Sequence, residues 1–324
     1  MPDSLDEQLV KHLTDVHSIE EQALRQMVSA PDIADDSELA GIFRDHLKET
    51  EDQRRRVRER LEAREAEPSK VKDLIARAGG AGMVLFARNQ PDSPGKLTAH
   101  AYSYEHMELA AYDLLALVAE RAEDTETAEV ARSIREQESA MAERLADNFD
   151  RAVEASLGEV PDEELEDHLT EYLADAHAIE AQAIQLLQMS PKVAGVPELA
   201  RLFEEHLEQS REQQSLVAAR LEAHDEGPSR LKDAALRVGG LNLGGFFAAQ
   251  PDTPAKLAGF AFAFEHLETA AYELLKRVAD RAGDQDTVAT AERIVAEEQA
   301  AAAAIREHFE PAVDASLEAQ GVAP

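Results

Sequence analysis

Apolar residues recur along this chain at helical spacing. Leu5, Leu9, Leu13, Val16, Leu24 and Met27 form one stripe, which predicts a helix from about Leu5 to Ser29, with Pro31 following its end. Leu39, Ile42, Phe43, Leu47, Val57 and Leu61 form a second stripe and predict a helix from about Asp36 to Arg64, with Ser37 as the N-cap. Pro68-Ser69 opens a weaker helical stretch, broken at Gly79-Gly80 and closed at Pro91. Leu97, Ala101, Tyr104, Ala111, Leu115 and Val118 predict a third helix from about Pro94 to Arg121. Ala131, Ile134, Leu145 and Phe149 predict a fourth from about Thr125 to Ala155. No segment sustains the period-2 alternation of a strand. Short loops join helices one to two and three to four, while roughly 30 residues join two to three. That is the connection pattern of a ferritin-like four-helix bundle with one long crossover.

The whole pattern then repeats. Shifted by 160 residues, the chain aligns on itself without a gap. Asp15, His17 and Glu20 fall on Asp175, His177 and Glu180. Phe43 and His46-Leu47 fall on Phe203 and His206-Leu207, and Glu105-His106-Met107-Glu108 falls on Glu265-His266-Leu267-Glu268. A period this long marks whole domains rather than solenoid units. The expected fold class is all-α: two tandem ferritin-like bundles, residues 1–158 and 161–324.

Polar residues interrupt the stripes near their middles. In the first copy these are Glu20 with His17 one turn earlier, then His46 with Glu49, then Glu105 with Glu108, and finally Glu138. The second copy has His177, Glu180, His206, Glu265, Glu268 and Glu298, with Gln209 in place of Glu49. At 1.5 Å rise per residue, Glu20 and His46 both lie roughly 14 Å from their shared loop. Glu105, Glu108 and Glu138 lie roughly 20 Å from the opposite loop, at a similar mid-bundle level. Four stripes can therefore deliver carboxylates and imidazole to one point. Buried carboxylates repel one another and lose hydration, and divalent cations neutralise them. Oxygen with imidazole donors suits iron, manganese or zinc. The competing reading of these glutamates is a salt-bridged face in an acidic protein. The order His-x-x-Glu departs from the Glu-x-x-His of the common di-iron bundle.

Charge and composition narrow the classes. Lys and Arg number 33 against 66 Asp and Glu, so the net charge is −33. This argues against nucleic acid and anionic membranes as partners. Because the acidic residues are spread over the whole chain, they point to the hydrated surface of a halophile-type protein. There is no cysteine, so thiolate chemistry and disulfides are excluded. No apolar run approaches the ~18 residues of a membrane span, and Met1 to Glu7 has no signal-peptide pattern. A cytoplasmic protein is expected. Gly79-Gly80 and Gly239-Gly240 read as bends or close-packing positions, because they lack the nucleotide-binding glycine pattern.

Three blocks together resemble a known family. They are Asp15-x-His17-x-x-Glu20-x-Gln22, Phe43-x-x-His46-Leu47-x-Glu49-Thr50-x-x-Gln53 and Glu105-His106-x-Glu108-x-Ala110-Ala111-Tyr112. They resemble the YciE/YciF-type ferritin-like family, long labelled a domain of unknown function, over nearly all of each copy. The resemblance implies a di-metal centre and a bacterial-type stress association. It also implies dimers of single bundles, so this chain would be a covalent pseudo-dimer, with further homodimerisation open. It assigns Glu20, His46, Glu49, Glu105, Glu108 and Glu138 as ligands in the first copy, and Glu180, His206, Glu265, Glu268 and Glu298 in the second. Gln209 breaks the match and predicts a second site that is weakened, mononuclear or empty. His17, His177, Tyr112 and Tyr272 are expected as extra ligands or hydrogen-bond partners of the ligands.

The leading expectation is a di-iron binding protein with a ferroxidase or oxidative-stress role, taking dioxygen or peroxide as oxidant. The alternatives are a non-enzymatic stress or scaffold protein with degenerate sites, and a catalase-like or oxygenase-like use of manganese or iron.

Overall fold

The computed structural model describes residues 4–70, 72–74, 93–227 and 253–322. Gly79-Gly80, Gly239-Gly240 and most of both crossovers lie outside the described residues. The first copy contains α1 (Leu5–Ile33), α2 (Ser37–Ala63), α3 (Ser93–Arg121), α4 (Thr125–Ala146) and α5 (Phe149–Leu157). The second contains α6 (Leu165–Met189), α7 (Pro197–Ala223), α8 (Thr253–Ala282), α9 (Gln285–Arg306) and α10 (Phe309–Ala319). No strand occurs among the described residues, and no helix there is long and apolar enough to cross a membrane. Contacts divide the chain into two compact units, Met1–Gly158 with Gln320–Pro324, and Glu159–Ala319.

Within the first unit, α1 packs on α2 and α3, and α4 packs on α2 and α3. One core cluster fixes the helix directions. It joins Met27 and Ile33 at the end of α1, Leu39 and Phe43 at the start of α2, Leu97 and Ala101 at the start of α3, and Met141 and Leu145 at the end of α4. Thus α1 and α4 run one way while α2 and α3 run the other, and the chain must travel the bundle's length between α2 and α3. That requirement explains the long crossover.

The opposite end is held by a buried ion cluster. Arg60 Nη2 lies 3.2 Å from Asp124 Oδ1, and Arg60 Nε donates to Thr127 Oγ1 at 3.0 Å. Asp124 also caps α4, accepting from the Thr127 backbone N–H at 3.0 Å. Arg220, Asp284 and Thr287 rebuild this cluster in the second unit.

Three helix boundaries differ from the pattern-based expectation. First, α1 runs on through Pro31 to Ile33. A proline near a helix end removes one bond of the last turn without breaking the rest. Second, the cap of α2 is Asp36 rather than Ser37, because Asp36 Oδ1 accepts from both Glu38 and Leu39 N–H at 2.9 Å. Third, the expected fourth helix is two helices. Asn148 turns its side-chain amide back to the Arg144 carbonyl at 2.7 Å, and buried Phe149 packs edge-on against Tyr102 at 5.5 Å. The second copy carried the sequence signal for that break, because Pro311 sits in the first turn of α10.

Candidate metal centre

Each bundle turns a set of acids inward at mid-height. In the first copy α2 supplies His46, α3 supplies Glu105 and Glu108 one turn apart, and α4 supplies Glu138. One donor atom from each lies within 4.8 Å of all the others, and all four residues are buried. His206, Glu265, Glu268 and Glu298 form the same group in the second copy. His46 Nε2 stands 3.3 Å from Glu105 Oε2 and 3.7 Å from Glu138 Oε2. His206 Nε2 stands 2.7 Å from Glu265 Oε2 and 3.3 Å from Glu298 Oε2.

Glu20 on α1 closes the first set. It is fully buried, its Oε1 accepts from the Tyr112 hydroxyl, and its charge acts on Glu108. Glu180 does the same in the second copy, accepting from Tyr272 at 2.6 Å. Each tyrosine hydroxyl thus donates to a buried glutamate.

The electrostatics are those of acids taken out of water. Burial, reinforced by neighbouring carboxylates, pushes Glu108, Glu138, Glu180 and Glu268 well above the usual carboxylate range. Glu20 and Glu298 rise to about 8, driven first by burial. The imidazoles move the other way from what burial alone would do. Burial lowers His206, but Glu265 and Glu298 outweigh it and carry the ring up to about 12. His46 is likewise raised, by Glu105, Glu49 and Glu138. Glu265 is lowered despite its burial, because it faces His206.

Many of these atoms have no hydrogen bond. Glu20 Oε2, both oxygens of Glu105, Glu108 Oε1 and both oxygens of Glu138 are buried and make no hydrogen bond. The same holds for Glu180 Oε2, both oxygens of Glu268 and Glu298 Oε2. Native interiors leave few such groups, since each costs about 1–3 kcal/mol or more. This orphaned oxygen shell around one imidazole fits a hard or borderline divalent cation.

Other candidates stand apart from the group. Glu49 is half-exposed: its carboxylate lies 3.2 Å from His46 Nδ1 and accepts from Arg144 Nη2 at 2.8 Å. It braces the back of the imidazole. Gln209 holds the same place, with Oε1 3.1 Å from His206 Nδ1. The expectation that Gln209 costs the second site a ligand therefore does not match the geometry, because both copies have the same buried donor set. His17 is turned to the crossover, with Nδ1 3.3 Å from Asp73 Oδ1. His177 is buried at the equivalent place on α6. His106 and His266 point their Nδ1 atoms at carbonyls one turn back, each at 2.8 Å. Sequence reasoning gave no role to Gln53 and Gln213, which are buried beside the α4 and α9 acids. Gln213 Nε2 donates to Glu298 Oε1 at 2.5 Å, whereas Gln53 Nε2 reaches Gln137 at 3.4 Å. A polar residue on an otherwise apolar helix face was the available signal.

No solved structure matches the chain. The model of the family described as a domain of unknown function (DUF892) matches residues 4–158 and again residues 164–318. The two matches together cover nearly the whole chain, with the His46 and Glu105 blocks that carried the resemblance in the first and their counterparts at His206 and Glu265 in the second, so the protein belongs to this family as a tandem pair of its domains.

Proposed function

We propose that each bundle holds a pair of divalent metal ions, iron before manganese or zinc, and that the chain handles iron under oxidative stress in a salt-rich cytoplasm. The observation that carries this reading is the shell of buried carboxylate oxygens, free of hydrogen bonds, around one imidazole, built twice.

Charge supports two ions rather than one. Glu20, Glu105, Glu108 and Glu138 together balance two divalent cations, and a neutral His46 adds a nitrogen donor. Glu49 falls outside this balance because Arg144 neutralises it. Bound iron would supply one-electron redox chemistry and Lewis acidity. The protein's part is to position and to exclude water. Tyr112 orients Glu20 through its hydroxyl, and Glu49 fixes the His46 tautomer that leaves Nε2 facing the carboxylates. Leu13, Val16, Phe43 and Ile134 are buried on the same helices, in the apolar interior that surrounds the acids.

In the ferroxidase reading iron(II) is the substrate. Each ion loses one electron, and dioxygen or peroxide accepts them. The test is anaerobic loading with iron(II), followed by peroxide and the rise of ferric absorbance. We expect oxidation faster than that of free iron, lost in Glu108→Ala combined with Glu268→Ala. Uptake of iron without faster oxidation would overturn the ferroxidase reading and leave a binding role. No uptake would overturn the metal reading itself.

A further inference from the structure

The two centres have the same buried donors but different outer partners, and the difference comes from two substitutions that compensate each other. In the first copy Glu49 on α2 and Arg144 on α4 form an ion pair across the back of His46, at 2.8 Å. In the second copy the positions 160 residues on are Gln209 and Ala304. Carboxylate and guanidinium have gone together. Losing either alone would have left a half-buried charge without its partner beside the site.

This exchange changes the imidazole and leaves its placement alone. His46 Nδ1 lies 3.2 Å from the Glu49 carboxylate, and His206 Nδ1 lies 3.1 Å from the Gln209 amide oxygen. Both rings are held in the orientation that turns Nε2 inward. Only His46 leans on a carboxylate, whose oxygen also accepts from Arg144 Nη2 at 2.8 Å. A carboxylate behind an imidazole makes the front nitrogen a stronger donor, and a neutral amide does this far less. The ion pair also ties α2 to α4 over the first centre, while Gln209 is exposed and Ala304 offers nothing to tie.

We propose that the two centres are unequal by design of this outer pair: the first copy retains metal tightly, the second binds it more weakly and exchanges it, and Glu49 with Arg144 sets the difference. This rests on the reading that the buried clusters hold metal. Glu49 and Arg144 act here as positioning residues.

The test uses the full chain and manganese(II), with the free ion followed by its electron paramagnetic resonance signal. Glu268→Gln leaves only the first centre intact, and Glu108→Gln leaves only the second. The first centre should bind about 10- to 100-fold more tightly, the range that partners behind a ligating histidine command. Glu49→Gln with Arg144→Ala should bring the first centre down to the second's affinity. Gln209→Glu with Ala304→Arg should raise the second. The exchanged pair is partly exposed, so its loss should leave the melting temperature nearly unchanged. Equal affinities in the two single-centre variants, or a gap that survives both exchanges, would overturn this proposal alone. No manganese uptake by the unaltered chain would overturn the metal reading and this proposal with it.

Discussion

Glu20→Gln should stabilise the metal-free protein. Glu20 is fully buried, its Oε2 has no hydrogen bond, and burial is the main cause of its rise from 4.5 to about 8. A carboxyl whose value is raised by folding destabilises the fold above its unfolded value, by an amount that grows with pH until the folded value is passed and is constant beyond it. At pH 7 roughly two and a half units of that rise are in force, at ~1.4 kcal/mol each, so the penalty is ~3 kcal/mol. Glutamine removes the charge and still offers an oxygen to the Tyr112 hydroxyl. For a unit of this size the gain corresponds to a melting point about 6–12 °C higher. The assay is calorimetry with chelator present, at pH 7 and again near pH 4.5. The gain should shrink toward zero at the lower pH, where the wild-type carboxyl is protonated in the fold and increasingly so outside it. Added metal should reverse the order, because binding to the native state stabilises the wild type more. A variant that melts lower at pH 7, or gains equally at both values, would show that the buried charge of Glu20 does not destabilise the fold.

Further expectations concern proton balance, local backbone and pH. Metal uptake at pH 7 should release protons, because Glu20 and Glu298 sit near 8 and His206 near 12 before metal arrives; titration calorimetry in buffers of differing ionisation heat measures this. Glu123 holds φ 56° where the second copy has Gly283 at φ 78°. Glu123→Gly should therefore stabilise the first unit by about 1 kcal/mol and Gly283→Ala destabilise the second by a similar amount, read by denaturant midpoints. His224 bridges Glu166 at 3.1 Å and Asp284 at 2.9 Å, and burial lowers its pKa less than these acids raise it. Its contribution is in full force below about 6.5 and fades as pH rises past the raised value. Melting of the second unit should lose stability over that rise, and His224→Arg, the residue type of Arg64 in the first copy, should abolish the loss.

The helical class, the repeat and the level of the buried acids were legible because each rests on short-range periodicity. Leu13, Val16 and Leu24 name the inner face of α1 whatever packs on it, and Glu20 on that face is anomalous without any structure. Counting residues to the loops then placed Glu20, His46, Glu105, Glu108 and Glu138 at one height. What the stripes could not separate is the angular difference between His46 and Glu49. Three residues apart on a helix is near enough to share a face, yet the packing of α4 decides which side chain enters the core. Arg144 made that decision for Glu49, and nothing near Glu49 in the chain announces an arginine 95 residues on. His17 was drawn off in the same way by Asp73, which belongs to the crossover. The break between α4 and α5 depends on Asn148 and Phe149 meeting Arg144 and Tyr102, again a tertiary event.

Everything proposed for this chain depends on the two buried carboxylate-imidazole clusters being metal centres. Elemental analysis of protein purified without chelators, in wild type and in Glu108→Ala with Glu268→Ala, tests it most directly. About two to four iron or manganese ions per wild-type chain are expected, for up to a pair in each bundle, with their loss in the variant. A chain that carries no stoichiometric metal, even after anaerobic iron(II) loading, would contradict it.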